Sequence, residues 1–201
     1  MVPQKLIGFD ADGVLLQFTE AVCADPYFAS KGWSVDRFKS YNMKQDMNEA
    51  EVAAFEDLIR EPGFCLQLER YARAQQAVEL SRQFEFYPIC VTAPLTNSHT
   101  WMAERVVSLE GMFTPKDILF VPSGHKKLVS CCALIEDSAE NLEQWLEAHP
   151  HGIGCLVNQP WNEDDRLEYR HQPRGTGLLK GGCFRVSDAL EAVETIIQWT
   201  R

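Results

Sequence analysis

The sequence predicts an α/β fold: a three-layer, Rossmann-like, mostly parallel sheet with a small helical cap inserted after the first strand. Three observations predict it. Several short segments are apolar throughout, as strands buried on both faces are. Amphipathic segments alternate with them, which is the rhythm of a parallel sheet covered by helices. Acids, a hydroxyl and a lysine follow those apolar segments, at the sheet ends where open parallel sheets collect function. The 201 residues can bury roughly 70% of the unfolded surface without disulfides or a structural metal. They leave room for one core and an insertion.

Lys5 to Phe9 reads as the first strand and ends in a carboxylate-rich turn. Leu16 to Ser30 reads as a helix. Asn48 to Arg60 is a second helix: Ala50, Ala53, Ala54, Leu58 and Ile59 fall near helical spacing, and Asn48 can cap it. Glu61-Pro62-Gly63 breaks that helix, and Tyr71 to Phe84 forms a third. Phe86 to Val91 is a fully apolar strand. His99 to Glu110 is a helix stopped by Gly111. Ile118 to Val121 is a strand, followed by a turn at Pro122-Ser123-Gly124. Cys131 to Ile135 is the next strand and leads into a helix from Ala139 to Ala148. Gly152 to Val157 is a further strand. Tyr169 to Cys183, rich in Arg and Gly, reads as a loop or hairpin. Ser187 to Trp199 closes the chain as a helix capped by Ser187. Consecutive helices interrupt the α/β rhythm early. The expected division is therefore an α/β core at 1–16 and 89–201, with the cap at 17–88.

The net charge is −10. An acidic chain repels polymeric nucleic acid, whose binding needs a basic stripe. It does not exclude a small phosphorylated substrate, because a bound cation inverts the local field. No apolar run approaches the ~20 residues of a membrane span, and the start lacks the apolar region of a signal peptide. A cytoplasmic protein without a membrane partner is expected, and a homodimer is left open. The seven cysteines show no paired spacing and read as reduced, mostly buried thiols. The five histidines show no zinc spacing.

After the first strand comes Asp10-Ala11-Asp12-Gly13; after the second, Thr92-Ala93-Pro94; after the turn at Gly124, Lys126 and Lys127; after the fourth strand, Glu136-Asp137-Ser138. Each piece alone is an ordinary turn or helix cap. Together they suit phosphoryl transfer. Carboxylates gathered at one point repel unless a cation sits among them. Asp10, Asp12, Glu136 and Asp137 are the candidate oxygen ligands for Mg²⁺, and a carboxylate nucleophile can form an aspartyl-phosphate.

Those four segments, "IGFDADGVL", "ICVTAP", "GHKKLV" and "ALIEDSAEN", resemble the motifs of the haloacid dehalogenase-like (HAD) hydrolase superfamily, in its order. The resemblance implies Asp10 as nucleophile and Asp12 as general acid/base. It implies Thr92, Ala93 and Lys126 around the phosphoryl group, with Lys126 favoured over Lys127 by its spacing from the acid pair. The acid pair would complete the Mg²⁺ site. Within the superfamily the chain looks similar to the 5'(3')-deoxyribonucleotidases. Phe18 stands where that group places an aromatic of the nucleoside pocket, and "EPGFCLQL" brings Phe64 from the cap. Trp101 and "LVNQPWN" fit the same pattern. Glu136 departs from the Asp-Asp of that group. The implied activity is a Mg²⁺-dependent phosphatase acting on a small phosphorylated metabolite, a nucleoside monophosphate. The alternatives are a phosphatase or mutase for sugar phosphates, a receiver-like signalling module, and an idle phosphate-binding protein. A receiver carries its phosphoacceptor on a central strand and lacks an insertion after the first.

Overall fold

The structure is a computed structural model that describes residues 5–163 and 182–201. The elements are β1 (Lys5–Phe9), α1 (Phe18–Ala24), α2 (Pro26–Ser30), α3 (Glu49–Arg60), α4 (Ala74–Gln83), β2 (Phe86–Thr92), α5 (Trp101–Ser108), β3 (Ile118–Phe120), β4 (Ala133–Glu136), α6 (Ala139–Ala148), β5 (Ile153–Val157), β6 (Gly182–Val186) and α7 (Ala189–Thr200). The strands make one sheet in the order β3-β2-β1-β4-β5-β6, and every neighbouring pair is parallel. This doubly wound order reverses between β1 and β4, and the crevice at such a reversal is where ligands bind.

Side chains alternate between the faces of a strand, and here the alternation builds three layers. Ile7, Phe9, Ile135, Cys155 and Val157 are buried with Ala77 and Val78 of α4 and Val193 and Ile196 of α7. Leu134 and Leu156 point the other way, onto Leu142, Trp145 and Leu146 of α6. Fully burying one Leu or Ile is worth about 1.5–3 kcal/mol, so these two faces hold the sheet. Among the described residues no helix is long and apolar enough to cross a membrane.

The paths into and out of the early helical segment run together. The chain leaves the sheet at Leu15–Gln17 and returns at Glu69–Tyr71, the two passes lying side by side. Gln17 N–H donates to the Glu69 carbonyl at 2.8 Å, and Tyr71 N–H to the Leu15 carbonyl at 3.0 Å. Then α4 packs on β2 and α7. The sheet layer thus takes the chain back at Ala74, ahead of the boundary at 88. An amphipathic helix carries no mark of which layer it faces, so α4 read equally well as cap.

Three local expectations change. The helix expected from Leu16 to Ser30 is broken at Asp25, whose side chain accepts from Tyr27 N–H at 2.9 Å. Pro26 has no N–H to continue α1, but it suits the first turn of α2. The closing helix is capped by Asp188, which accepts from the N–H groups of Leu190 and Glu191, both at 2.9 Å; Ser187 instead donates to Glu191. β6 takes Gly182 and Cys183 out of the expected loop, and Tyr169 to Gly181 lies outside the described residues. The α3 cap is as expected: Asn48 and Glu51 form a reciprocal capping box.

Candidate active site

The register of β1 on β4 builds the floor of the site. Phe9 pairs with Ile135, so the next residues, Asp10 and Glu136, stand side by side where the two strands end. Asp10 N–H donates to the Ile135 carbonyl at 2.9 Å. Asp137 follows at the entry to α6, where Ser138 caps the helix by accepting from Asn141 N–H at 3.3 Å. The carboxylates of Asp10, Glu136 and Asp137 lie within 4.8 Å of one another, and all three residues are buried. Gly13 (φ +73°) lets the turn after β1 close on them: a Cβ at this position would stand 2.1 Å from Asp137 Oδ2.

Among the described residues Lys126 is the one ammonium paired with the floor carboxylates, 2% exposed. Its Nζ lies 2.7 Å from Asp10 Oδ2 and 2.9 Å from Glu136 Oε2. Burial alone would lower its pKa, but the charges of Asp10 and Glu136 outweigh burial and raise it. Lys127 is exposed, so of the two lysines it is Lys126 that meets the floor carboxylates. Glu136 also accepts from Asn141 Nδ2 at 2.8 Å, and Asn141 Oδ1 accepts from Gly124 N–H at 3.3 Å. Asn141 therefore ties the turn before Lys126 to the acid pair. Burial and the neighbouring Asp10 push the Glu136 carboxyl up, against Lys126. Burial, Asp10 and Glu136 push Asp137 up as well.

Three carboxylates against one ammonium leave an excess of buried negative charge. Asp137 Oδ1 is buried with no hydrogen-bond partner. An oxygen-only donor set with a bare ligand atom fits a hard divalent cation. Asp137 Oδ1 is the free ligand atom: Lys126 and Asn141 already occupy Glu136, and Lys126 and the Ala11 amide occupy Asp10.

Asp12 departs from the expected metal set. It lies outside the three-carboxylate group, because Arg105 of α5 draws it aside: Arg105 Nη2 donates to Asp12 Oδ2 at 2.8 Å. Asp12 Oδ1 is buried and unpartnered. Burial raises the Asp12 pKa, and Arg105 opposes the rise. Thr92 ends β2 fully buried with its Oγ1 unpartnered, and Ala93 follows it half-buried. A buried hydroxyl without a partner is costly, and a phosphoryl oxygen would satisfy this one.

A cleft of about 600 Å³ opens above the floor, lined by Asp12, Gly13 and Asp137 below and by Phe18, Tyr41, Phe55 and Trp161 around it. Phe18 thus stands where the sequence placed it. Phe64 does not line this cleft; it is buried behind Phe18, 5.8 Å from it between ring centroids, and stacked on Trp101. Tyr41 is 44% exposed. Even so, the enclosing cleft and then the negative charges of Asp137, Glu136, Asp10 and Asp12 hold its phenol un-ionised well beyond the usual range. The "LVNQPWN" turn fastens the floor from below. Asn162 Nδ2 donates to the Asp137 carbonyl at 2.8 Å and Gln159 Nε2 to the Gly13 carbonyl at 2.6 Å.

Sequence reasoning missed the roles of Arg105, Asn141 and Tyr41. Asn141 lay inside a quoted motif and was reachable. Arg105 sits in an ordinary amphipathic helix, and Tyr41 in a segment without periodicity.

No protein-family model matches the chain, and no curated protein sequence matches it. Solved structures do match. A haloacid dehalogenase-like protein from Agrobacterium tumefaciens superposes with a TM-score of 0.61 at 14% identity, over 98% of this chain and 100% of that one. The fold is that of the haloacid dehalogenase-like hydrolases. An L-2-haloacid dehalogenase from Xanthobacter autotrophicus matches at a TM-score of 0.55 and 13% identity, over 96% of this chain and 98% of that one. A HAD family hydrolase from Deinococcus radiodurans with bound phosphate and sodium matches at 0.54 and 14%, over 98% and 97%. At such identities the likeness is one of fold. The crevice between β1 and β4 of this HAD-like fold is where the floor lies.

Proposed function

We propose that the protein is a Mg²⁺-dependent phosphatase that hydrolyses a small phosphate monoester, a nucleoside monophosphate, through an aspartyl-phosphate. The observation that carries this reading is the buried group of Asp10, Glu136 and Asp137 at the ends of β1 and β4, beside which Thr92 Oγ1, Asp12 Oδ1 and Asp137 Oδ1 are buried without partners. The phosphate and sodium held by the Deinococcus radiodurans protein of the same fold support it.

Asp10 attacks phosphorus, and Asp12 protonates the leaving oxygen. Asp12 then takes a proton from the water that cleaves the aspartyl-phosphate. Lys126 keeps Asp10 in place through Oδ2, and its three donors are shared between Asp10 and the two oxygens of Glu136. Thr92 Oγ1 and the Ala93 amide supply further donors. Mg²⁺ held by Asp10 and Asp137, with Glu136 beside them, would neutralise phosphoryl charge. The aromatic wall of Phe18, Tyr41, Phe55 and Trp161 suits a base, and the cleft volume is in the range of small-molecule sites. The doubly wound strand order disfavours the receiver alternative, whose order is of the flavodoxin type.

The test is phosphate release from nucleoside monophosphates and sugar phosphates, with and without Mg²⁺, beside halide release from 2-chloropropionate. Mg²⁺-dependent release favouring nucleotides is expected. Preference for sugar phosphates overturns the substrate, and halide release without phosphate release overturns the chemistry.

A further inference from the structure

We propose that Arg105 is a positioning residue for Asp12: it clamps Oδ2 and so fixes Oδ1, buried and unpartnered, as the atom that moves the proton. The proposal rests on the phosphatase reading above.

Arg105 is 0% exposed, and its guanidinium lies over the Trp101 ring at 4.8 Å from the centroid. Asp12 is the only carboxylate it pairs with among the described residues. Arg and carboxylate ordinarily meet fork to fork, through two parallel bonds. Here one bond is made, Arg105 Nη2 to Asp12 Oδ2, while Arg105 Nε, Arg105 Nη1 and Asp12 Oδ1 are all left buried and unpartnered. A pair selected for stability alone would use those atoms. The arrangement instead immobilises one oxygen and leaves its twin bare, in a residue that lines the cleft. Arg105 is held from α5 against the indole face of Trp101, so a swing of Asp12 away from it gives up the one hydrogen bond between them.

In the first half-reaction the bond from phosphorus to the leaving oxygen breaks. Its electron pair stays on that oxygen, which takes the proton from Asp12 Oδ1. In the second half Asp12 Oδ1 takes a proton from water as the water oxygen bonds to phosphorus. The bond from phosphorus to Asp10 then breaks, and its electrons return to the Asp10 carboxylate.

The experiment compares wild type, Arg105→Met and Arg105→Lys on an alkyl phosphate and on 4-nitrophenyl phosphate. The rate of the first half-reaction is read by rapid quench. The nitrophenolate leaves without a proton, so Arg105→Met should slow the alkyl ester by ~10²-fold, the scale of a mispositioned group, and leave the aryl burst nearly unchanged. Arg105→Lys, which keeps the charge and loses the fork, should show the same selectivity more weakly. In an Asp12→Asn background, Arg105→Met should cost nothing further. That double variant removes both charges together and covers the case in which Arg105→Met alone does not fold. Equal losses on both esters, or a full additional loss in the Asp12→Asn background, overturn the proposal while leaving the phosphatase reading intact. A wild type that hydrolyses neither ester overturns both.

Discussion

The floor and the wall of the cleft are made by different means. Backbone hydrogen bonds fix the floor: the register Phe9–Ile135 sets Asp10 beside Glu136, and a glycine turn admits Asp137. Rings packed on rings hold the wall, with Phe18 edge-on to Phe55, Phe64 and Trp101 at 5.8–6.3 Å. On the proposed phosphatase reading the sheet would supply chemistry that does not depend on what is bound, and the wall the shape that chooses it. Changes in the floor should therefore abolish turnover of every ester. Changes in the wall should alter affinity for some substrates and spare the chemistry.

The largest effect is expected from Asp10→Asn. It keeps the side chain's shape and removes the attacking oxyanion, so turnover should fall by on the order of 10⁴-fold or more, as when other nucleophiles are removed. The melting temperature should stay close to wild type, because Lys126 retains Glu136 at 2.9 Å. Retained turnover on any ester would show that the floor does not act by covalent attack. Asp137→Ala comes next. It deletes a bare buried oxygen from the cation group, so the rise in melting temperature on adding Mg²⁺ should vanish together with activity. A Mg²⁺ shift that survives would move the cation away from Asp137.

The floor was largely legible in the sequence and the wall was not. Asp10, Thr92, Lys126, Glu136 and Asp137 each follow a strand closely, and a parallel sheet brings strand ends together whatever the loops do. Asp12 was placed correctly in the turn and wrongly in the metal group, because its partner Arg105 lies 93 residues away in a helix whose pattern reports only amphipathicity. Phe18 and Phe64 were both named by resemblance, and only Phe18 lines the cleft; which of two adjacent rings faces it is decided by packing. Tyr41 lies between short 3-10 turns, where no period exists to reveal it. The α4 helix was found as an element and assigned to the cap for want of any signal of its layer.

A smaller effect separates the two regions by pH. Glu136 is pushed from 4.5 to about 8, and Asp137 and Asp12 are raised too, by burial first. The folded chain then binds protons that the unfolded chain has released, so metal-free stability should fall as pH rises from about 4.5 to 8. Lys126, raised above its ordinary value of 10.5, contributes equally across that window and does not reverse the sign. Mg²⁺ requires ionised carboxylates, so its stabilisation should be larger near the top of the window than at the bottom. Calorimetric scans with EDTA and with Mg²⁺ measure both trends. A metal-free melting temperature that climbs through the window would mean that the floor is already compensated without a cation.

The smallest effect is expected at the wall. Tyr41 lines the cleft, and its phenol feels all four acids of the floor, so it stands above them as a neutral donor. A phosphate ester seated on the floor would bring an acceptor oxygen toward that hydroxyl. Tyr41→Phe removes the donor and keeps the ring. One net hydrogen bond is worth about 1 kcal/mol, so KM should rise by roughly fivefold while kcat stays near wild type, the sign of an interaction made equally in ground and transition states. Tyr41→Ala removes the ring as well and should raise KM further for nucleotides than for small alkyl phosphates, because only the nucleotides reach the wall. If Tyr41→Phe lowers kcat and leaves KM alone, the phenol belongs with the floor, and the division between chemistry below and selection above fails at this residue.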